Sequence, residues 1–263
     1  FKYEQGSTVP LSDWLISLYL DNTLYATQSS TVLGYNFNNL LPGNYSLTEN
    51  LLSGWTQINS PSAITLAAGE NPIDQNFVNF KNISISGQKF NDLDGDGFKD
   101  SGEPGLSEWT INLNGSDAAV TDQSGNYTIS NLGPGTYNIT EDQKPGWTQI
   151  TTNPASITAV CGQNVTGIDF GNFNYGHISG HKFNDLNRNG VWDHQTEPAL
   201  SGWKIWLDRP TGDNLYRTTD TNGYYNFPDL GPGQYTVFEE NQTGWDQTAP
   251  IGDQYVIGMT SDG

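Results

Sequence analysis

The stretch Gly87-Gln-Lys-Phe-Asn-Asp-Leu-Asp-Gly-Asp-Gly-Phe-Lys-Asp-Ser-Gly-Glu103 joins the end of an extended segment, Ile83 to Phe90, to acidic residues at alternate positions. Asp92, Asp94, Asp96, Asp100 and Glu103 take positions 1, 3, 5, 9 and 12 of a twelve-residue loop, with Gly97 at 6 and the Phe98 carbonyl at 7. That spacing of oxygens around a sharp glycine turn suits a calcium ion. Five carboxylates this close repel one another unless a cation neutralises them. The same residues also read as a solvated acidic turn, because Asp-Gly pairs are common turn formers.

The rest of the chain repeats around this stretch. Leu41-Pro-Gly-Asn-Tyr45 returns as Gly133-Pro-Gly-Thr-Tyr137 and Gly231-Pro-Gly-Gln-Tyr235. Each Tyr is followed by a Glu (Glu49, Glu141, Glu239) and then by the Trp of a Gly-Trp pair (Trp55, Trp147, Trp245). An earlier Trp (Trp14, Trp109, Trp203) opens a strand in each copy. Three copies follow, at 1–81, 82–175 and 176–263. The first starts inside its opening strand and the third stops before a closing strand like Phe77-Val-Asn-Phe80 or Phe170-Gly-Asn-Phe173, so the chain reads as a segment of a longer array.

The copies differ in the acidic loop. In the third, Asp185, Asn187, Asn189, Gly190, the Val191 carbonyl and Asp193 keep the pattern, but Glu197 arrives one residue late. Three carboxylates instead of five imply weaker binding there. The first copy crosses from Lys2 to Trp14 without the ladder and is expected to bind no ion. Asp122 and Asp220 follow a strand Thr and precede a Gly by three residues, which makes them turn formers first and extra ligands second.

Within the second copy, strand-like runs at Ile83–Phe90, Trp109–Leu113, Ala118–Thr121, Tyr127–Ile129, Gly135–Glu141, Ser156–Val160 and Val165–Phe173 are separated by turn signals, with no sustained helical period. Seven short strands in about ninety residues predict an all-β, two-sheet sandwich. Thirty glycines, eight Trp and thirteen Tyr agree with strands and turns.

Composition narrows the function. A net charge of −19 with ten Lys+Arg argues against nucleic acid or an anionic membrane surface as partner. No apolar run approaches the roughly 18 residues of a membrane span. Cys161 is the single cysteine, so no intrachain disulfide forms, and a buried, inert thiol is expected. Seven Asn-x-Ser/Thr sequons, at Asn44, Asn82, Asn114, Asn126, Asn138, Asn164 and Asn241, are compatible with an extracellular glycoprotein. No Ser/His/Asp or Cys/His set recurs, and His177, His181 and His194 make no metal-ligand pattern, so a turnover enzyme is not expected.

Strand alternation puts Ile83, Ile85, Gly87 and Lys89 on one face. Tyr137, Ile139 and Glu141 share another, as do Ile168, Phe170 and Asn172. Three apolar rows thus each end in a polar group, and burying an ammonium with a carboxylate is costly unless they pair closely. A Lys–Glu ion pair at the sheet margin, with Asn172 as a turn residue, satisfies this pattern too.

Several motifs carry a family resemblance: Gly-x-Lys-Phe-Asn-Asp-Leu-(Asp/Asn)-x-(Asp/Asn)-Gly, Glu-Pro-x-Leu-Ser-x-Trp, Thr-Asp-x-x-Gly-x-Tyr and Gly-Pro-Gly-x-Tyr-x-x-x-Glu. They resemble the SdrD B-like repeat, a relative of the Cna B-type, prealbumin-like and immunoglobulin-like domains of cell-surface proteins. The resemblance implies three tandem sandwiches forming an extracellular stalk of an adhesin or filament, packed against neighbouring repeats, with calcium in the acidic loops. It also implies that a first-strand Lys can attack a last-strand Asn, with the Glu shuttling protons, to form an isopeptide bond. Lys89, Glu141 and Asn172 match that trio, as do Lys2, Glu49 and Asn79. Lys182 and Glu239 match in the third copy, where the Asn would lie beyond Gly263. Two other functions fit the same residues: a glycan- or protein-binding module, using the Gly-Trp tryptophans as stacking platforms, and a subunit that assembles into fibres through donated strands.

Overall fold

The computed structural model describes residues 1–261; Asp262 and Gly263, the end of the third predicted copy, lie outside the described residues. Among the described residues there are strands and no helix. Each copy builds two main sheets over its own apolar cluster, and the second adds a short two-stranded sheet. In the first, one sheet runs in the order Thr23–Ser29, Leu15–Leu20, Gly43–Glu49, Ile64–Leu66, and the other Lys2–Glu4, Phe77–Lys81, Trp55–Asn59. In the second, Asn126–Leu132, Ile83–Asn91, Phe170–Asn174 and Trp147–Gln149 lie side by side. Ser116–Val120, Thr110–Leu113 and Ile139–Glu141 form the other sheet. The third has Asn214–Thr218, Lys204–Asp208, Gly233–Glu239 and Gln254–Met259 in one sheet, with Gly176–His181 paired to Tyr224–Leu230 in the other.

The opening and closing strands run parallel, which a simple hairpin cannot achieve. Lys89 sits opposite Phe170 and Asn91 opposite Asn172. In the first copy Lys2 sits opposite Phe77 and Glu4 opposite Asn79. The Lys and the Asn are therefore offset by two residues in both copies. On a pleated strand that offset returns both side chains to the same face.

Some strands depart from their sequence pattern. The run expected at Gly135–Glu141 splits into Thr136–Tyr137, paired with Ile157–Thr158, and Ile139–Glu141, paired with Thr110–Leu113. The run expected from Val165 becomes a ladder only at Phe170, preceded by a single Ile85–Val165 bridge. Trp147–Gln149, too short to stand out as a pattern, is a strand because it pairs with Phe170–Asn174. Asn39, Asn131 and Asp229 adopt φ of 55°, 62° and 56° at equivalent places, one residue before the Leu that leads into each Pro-Gly turn. Asn and Asp tolerate this left-handed conformation better than other side chains.

One residue, Asn82, separates the last strand of the first copy from the first strand of the second, and Tyr175 alone does the same at the next joint. Asn82 accepts from Thr56 Oγ1 at 2.7 Å and donates to Asn131 Oδ1 at 2.8 Å, tying both copies together. Phe80, on the first copy's closing strand, packs into the second copy's cluster. Cys161 is half-exposed and not buried as expected: Lys81 N–H donates to its sulfur at 3.0 Å, and the thiol lies 3.3 Å from Glu4 Oε1. At the second joint Ser261 accepts from Asn174 N–H at 2.8 Å and donates its own N–H to Leu93 O at 2.9 Å.

Gly125 closes the Asp122 turn at φ +79°, where an added Cβ would stand 2.0 Å from the Lys89 carbonyl oxygen. Gly115 has φ +81° but nothing within 4 Å of an added Cβ. Gly125→Ala is expected to destabilise the second copy by about 3 kcal/mol, adding a backbone clash to the dihedral cost. Gly115→Ala, with the dihedral cost alone, is expected to lose about 1 kcal/mol. Urea unfolding of the two variants checks the difference.

Candidate functional site

Lys89 emerges from the opening strand with its side chain fully buried, and its Nζ lies 2.9 Å from Glu141 Oε2. The other carboxylate oxygen, Oε1, accepts from Asn172 Nδ2 at 2.7 Å and from Gln143 Nε2 at 3.2 Å. Lys89 Nζ also donates to the Phe170 carbonyl at 3.3 Å. One carboxylate thus bridges an amine and a carboxamide on neighbouring parallel strands. The three side chains predicted to meet do meet.

Burial sets the electrostatics. Desolvation pushes Lys89 down to about 8, against the opposing pull of Glu141 and Asp92. Desolvation also raises Glu141, although Lys89, Asn172 and Gln143 all favour its anion. Both shifts move the pair toward neutral amine and protonated acid. A neutral amine is a nucleophile, and a protonated carboxyl can polarise an amide carbonyl and return a proton to a leaving nitrogen.

The first copy repeats the ion pair but not the carboxamide contact. Lys2 Nζ and Glu49 Oε2 are 2.8 Å apart, with neither side chain exposed, and burial lowers the Lys2 amine. Asn79 is fully buried, and neither its amide nitrogen nor its oxygen has a hydrogen-bond partner among the described residues. In the third copy Lys182 and Glu239 pair at 2.7 Å but keep 16 % and 10 % of their side chains exposed.

The early tryptophans have a role that their sequence position did not reveal. Lys2 lies over Trp14 at 4.2 Å, Lys89 over Trp109 at 4.6 Å and Lys182 over Trp203 at 4.5 Å. Each of these rings meets the Gly-Trp residue edge-on, at 5.5, 5.4 and 5.3 Å for Trp55, Trp147 and Trp245. The Trp pair walls off the amine while offering it a π-face. The signal was the constant recurrence of two Trp alongside each Lys and Glu.

The acidic loop of the second copy is folded around its own carboxylates. Asp92 is buried, and its two oxygens accept from the N–H groups of Gly95, Asp96 and Gly97. Asp96 Oδ1 accepts from Phe98 N–H. Glu103 closes the loop, taking Leu93 N–H on one oxygen and Asp100 N–H on the other. Asp92, Asp94 and Asp96 each present an oxygen within 4.8 Å of the others, a spacing that fits a single cation. Phe98, which would offer its carbonyl, has an exposed side chain.

In the third copy Glu197 makes the equivalent bonds, to Leu186 N–H at 2.9 Å and Asp193 N–H at 3.0 Å. The extra residue before it is absorbed by the turn. Asp185 accepts from Asn189 and Gly190, and Asn189 accepts from Val191. Asn187 accepts from Asn189 N–H at 2.9 Å, as Asp94 does from Asp96, while its amide nitrogen donates to Asp193 at 2.9 Å. Asp122 and Asp220 each accept from two N–H groups of their own turn.

The SdrD B-like domain family matches residues 83–166 and 176–254, together more than half of the chain. Serine-aspartate repeat-containing protein D of Staphylococcus aureus (strain Newman) is 29 % identical over 250 residues, covering 88 % of this chain and 18 % of that protein. Colossin-A of Dictyostelium discoideum is 30 % identical over 263 residues, covering 90 % of this chain and 2 % of that protein. The chain therefore spans under a fifth of the length of these relatives. Among solved structures, the major pilin subunit of Bacillus cereus is 12 % identical, covers 98 % of this chain and 93 % of its own, and superposes with a TM-score of 0.40. With its opening strand, acidic loop and Pro-Gly-x-Tyr turn in the family's order, the chain belongs to the SdrD B-like domain family.

Proposed function

We propose that this chain is a load-bearing spacer: a stalk segment of an extracellular, cell-surface adhesin or filament. The observation that carries the reading is the buried Lys89–Glu141–Asn172 trio between the first and last strands, with Lys2–Glu49–Asn79 at the same place one repeat earlier. In each trio the Lys amine condenses with the Asn carboxamide, releasing ammonia, while the Glu carries the protons. The product is an isopeptide bond from first strand to last, so that tension passes through covalent bonds instead of the apolar core. The orphaned amide of buried Asn79 supports this, because a fully enclosed carboxamide without partners is costly unless it is consumed.

Calcium is the second fastener. The loop of residues 92–103 would hold it through Asp92, Asp94, Asp96, the Phe98 carbonyl, Asp100 and Glu103, and the loop of 185–197 more weakly. Bound there, the ion supplies the positive charge that offsets the crowded carboxylates. Single-residue joints, as at Asn82 and Tyr175, favour a fixed orientation between neighbours over a flexible string.

Intact mass tests the covalent lock. Repeats 1 and 2 are each expected to be lighter by about 17 Da, one ammonia apiece. Glu141→Gln should restore the full mass of repeat 2 alone. A chain of unreduced mass sinks the reading.

Thermal unfolding with added calcium tests the loop. At calcium about a hundredfold above Kd, repeat 2 gains roughly 2.7 kcal/mol, while repeat 1 does not respond. Asp94→Asn combined with Asp96→Asn should remove the gain.

The buried amine predicts a pH dependence when the bond cannot form. In Asn172→Ala, folded Lys89 loses its proton near 8, whereas the unfolded chain keeps it to about 10.4. Between these values the unfolded state binds more protons, so the stability of repeat 2 should rise with pH, by at most about 1.4 kcal/mol per pH unit. Adding Lys89→Met should flatten that slope in denaturant titrations.

A further inference from the structure

The third copy departs from the other two on the outward face of one sheet. In the first copy Ser17 stands between Thr27 and Thr48 on the neighbouring strands. In the second, Asn112 stands between Asp117 and Thr140. The third copy has Trp206 at that place, with Tyr216 on one side and Phe238 on the other. Ser17, Asn112 and Trp206 each lie three residues after the early Trp of their copy. A cross-strand row that is polar in two copies is wholly aromatic in the third.

Alternation along the strands turns this row away from the core. Ile205, Leu207 and Val237, the sequence neighbours of Trp206 and Phe238, are buried in the copy's own apolar cluster. Tyr216 is 50 % exposed, and Trp206 and Phe238 are half-buried. The rings of Trp206 and Tyr216 lie 5.1 Å apart and are tilted by 50°, so neither covers the face of the other. Such cross-strand pairs stabilise a sheet, yet the other two copies form the corresponding sheet with polar residues there.

Polar rows border the rings on both sides. Thr218, Lys204 and Glu240 form one, with Lys204 and Glu240 paired at 3.2 Å and both exposed. Asn214, Asp208 and Thr236 form the other. A strip of π-faces between two lines of hydroxyl, amide and charged groups suits a ligand with apolar flat faces and hydroxylated edges. A pyranose ring has that chemistry, with C–H bonds on its faces and hydroxyls around its rim. Strands repeat at about 4.8 Å, so a chain of sugars crossing them meets one aromatic ring per strand.

Charge selects among occupants. The net charge of −19 repels a second copy of the chain and any polyanion. Three aromatic side chains are also far fewer than the roughly 20–30 residues a side of a stable protein interface. We propose that the Tyr216–Trp206–Phe238 row binds a neutral, extended, β-1,4-linked polysaccharide laid across the strands of this sheet. Equatorial β-1,4 linkages keep the sugar faces in one flat ribbon, whereas an α-1,4 chain coils away from a row of rings. Phe238 faces outward where its neighbour Glu239 faces Lys182, so the site does not depend on the covalent lock.

The probe is cellohexaose, titrated calorimetrically into the whole chain. Saturable binding is expected, weakened at least about tenfold by Trp206→Ala or Tyr216→Ala and largely kept by Trp206→Phe. Thermal unfolding of each variant checks that the third repeat still folds. Two further sugars leave the protein untouched: maltohexaose, the α-1,4 isomer, and a β-1,4-linked hexamer of glucuronate. Each should bind at least about tenfold more weakly than cellohexaose. No cellohexaose binding at about 10 mM, undiminished binding in Trp206→Ala, or equal binding of all three sugars overturns the site. So does a dimer in sedimentation that Trp206→Ala dissolves while cellohexaose fails to bind, which gives the row to a second copy.

Discussion

The ion pair between Lys89 and Glu141, 2.9 Å apart and wholly removed from water, constrains everything around it. An ammonium and a carboxylate lose several kcal/mol of hydration each on burial, so the pair persists only where geometry and additional hydrogen bonds compensate. The compensation comes from both sheets. Ile139–Glu141 brings the carboxylate from one, Ile83–Asn91 and Phe170–Asn174 bring the amine and the amide from the other, and Trp109 closes the remaining face. The sandwich thus needs its first and last strands adjacent and parallel, in one register. A slip by one residue would turn Lys89 or Asn172 to the opposite face.

The same requirement explains how the repeats are joined. When the closing strand of one copy passes into the opening strand of the next through one residue, the positions of the strand that carries the Asn and the strand that carries the Lys are coupled. Phe80 inserting into the second core, and Asn82 bridging Thr56 to Asn131, make the joint part of the packing instead of a tether. The acidic loop leaves the opening strand immediately after Lys89, so its conformation bears on the strand that carries the amine. Gly95 in that loop lies against Pro232 of the third copy, so closely that a Cβ there would be 2.1 Å from the proline ring. Loop, strand and joint form one mechanical path.

The three copies are graded by how completely their core encloses the pair. Lys2–Glu49 and Lys89–Glu141 are sealed, whereas Lys182–Glu239 keeps a small part of both side chains exposed.

Much of this was legible in the residues. The period of Pro-Gly-x-Tyr, Glu and Gly-Trp, the alternation along Ile83–Lys89 and Tyr137–Glu141, and the Asp ladder from Asp92 are local patterns, and short-range sterics and pleat geometry convert them directly into turns and faces. The order of Lys, Glu and Asn along each copy was visible too. What the chain alone could not specify was anything depending on the partner of an edge. Trp147–Gln149 becomes a strand only because Phe170–Asn174 lies beside it, and Gly135–Glu141 breaks in two because its halves pair with different neighbours. Cys161 is drawn to a joint by contacts from Glu4 and Lys81, and Trp109 becomes the roof of a lysine twenty residues away. Local sequence determines which way a side chain points, but burial depends on what covers it, and in these sandwiches the covering strand comes from the far end of the repeat.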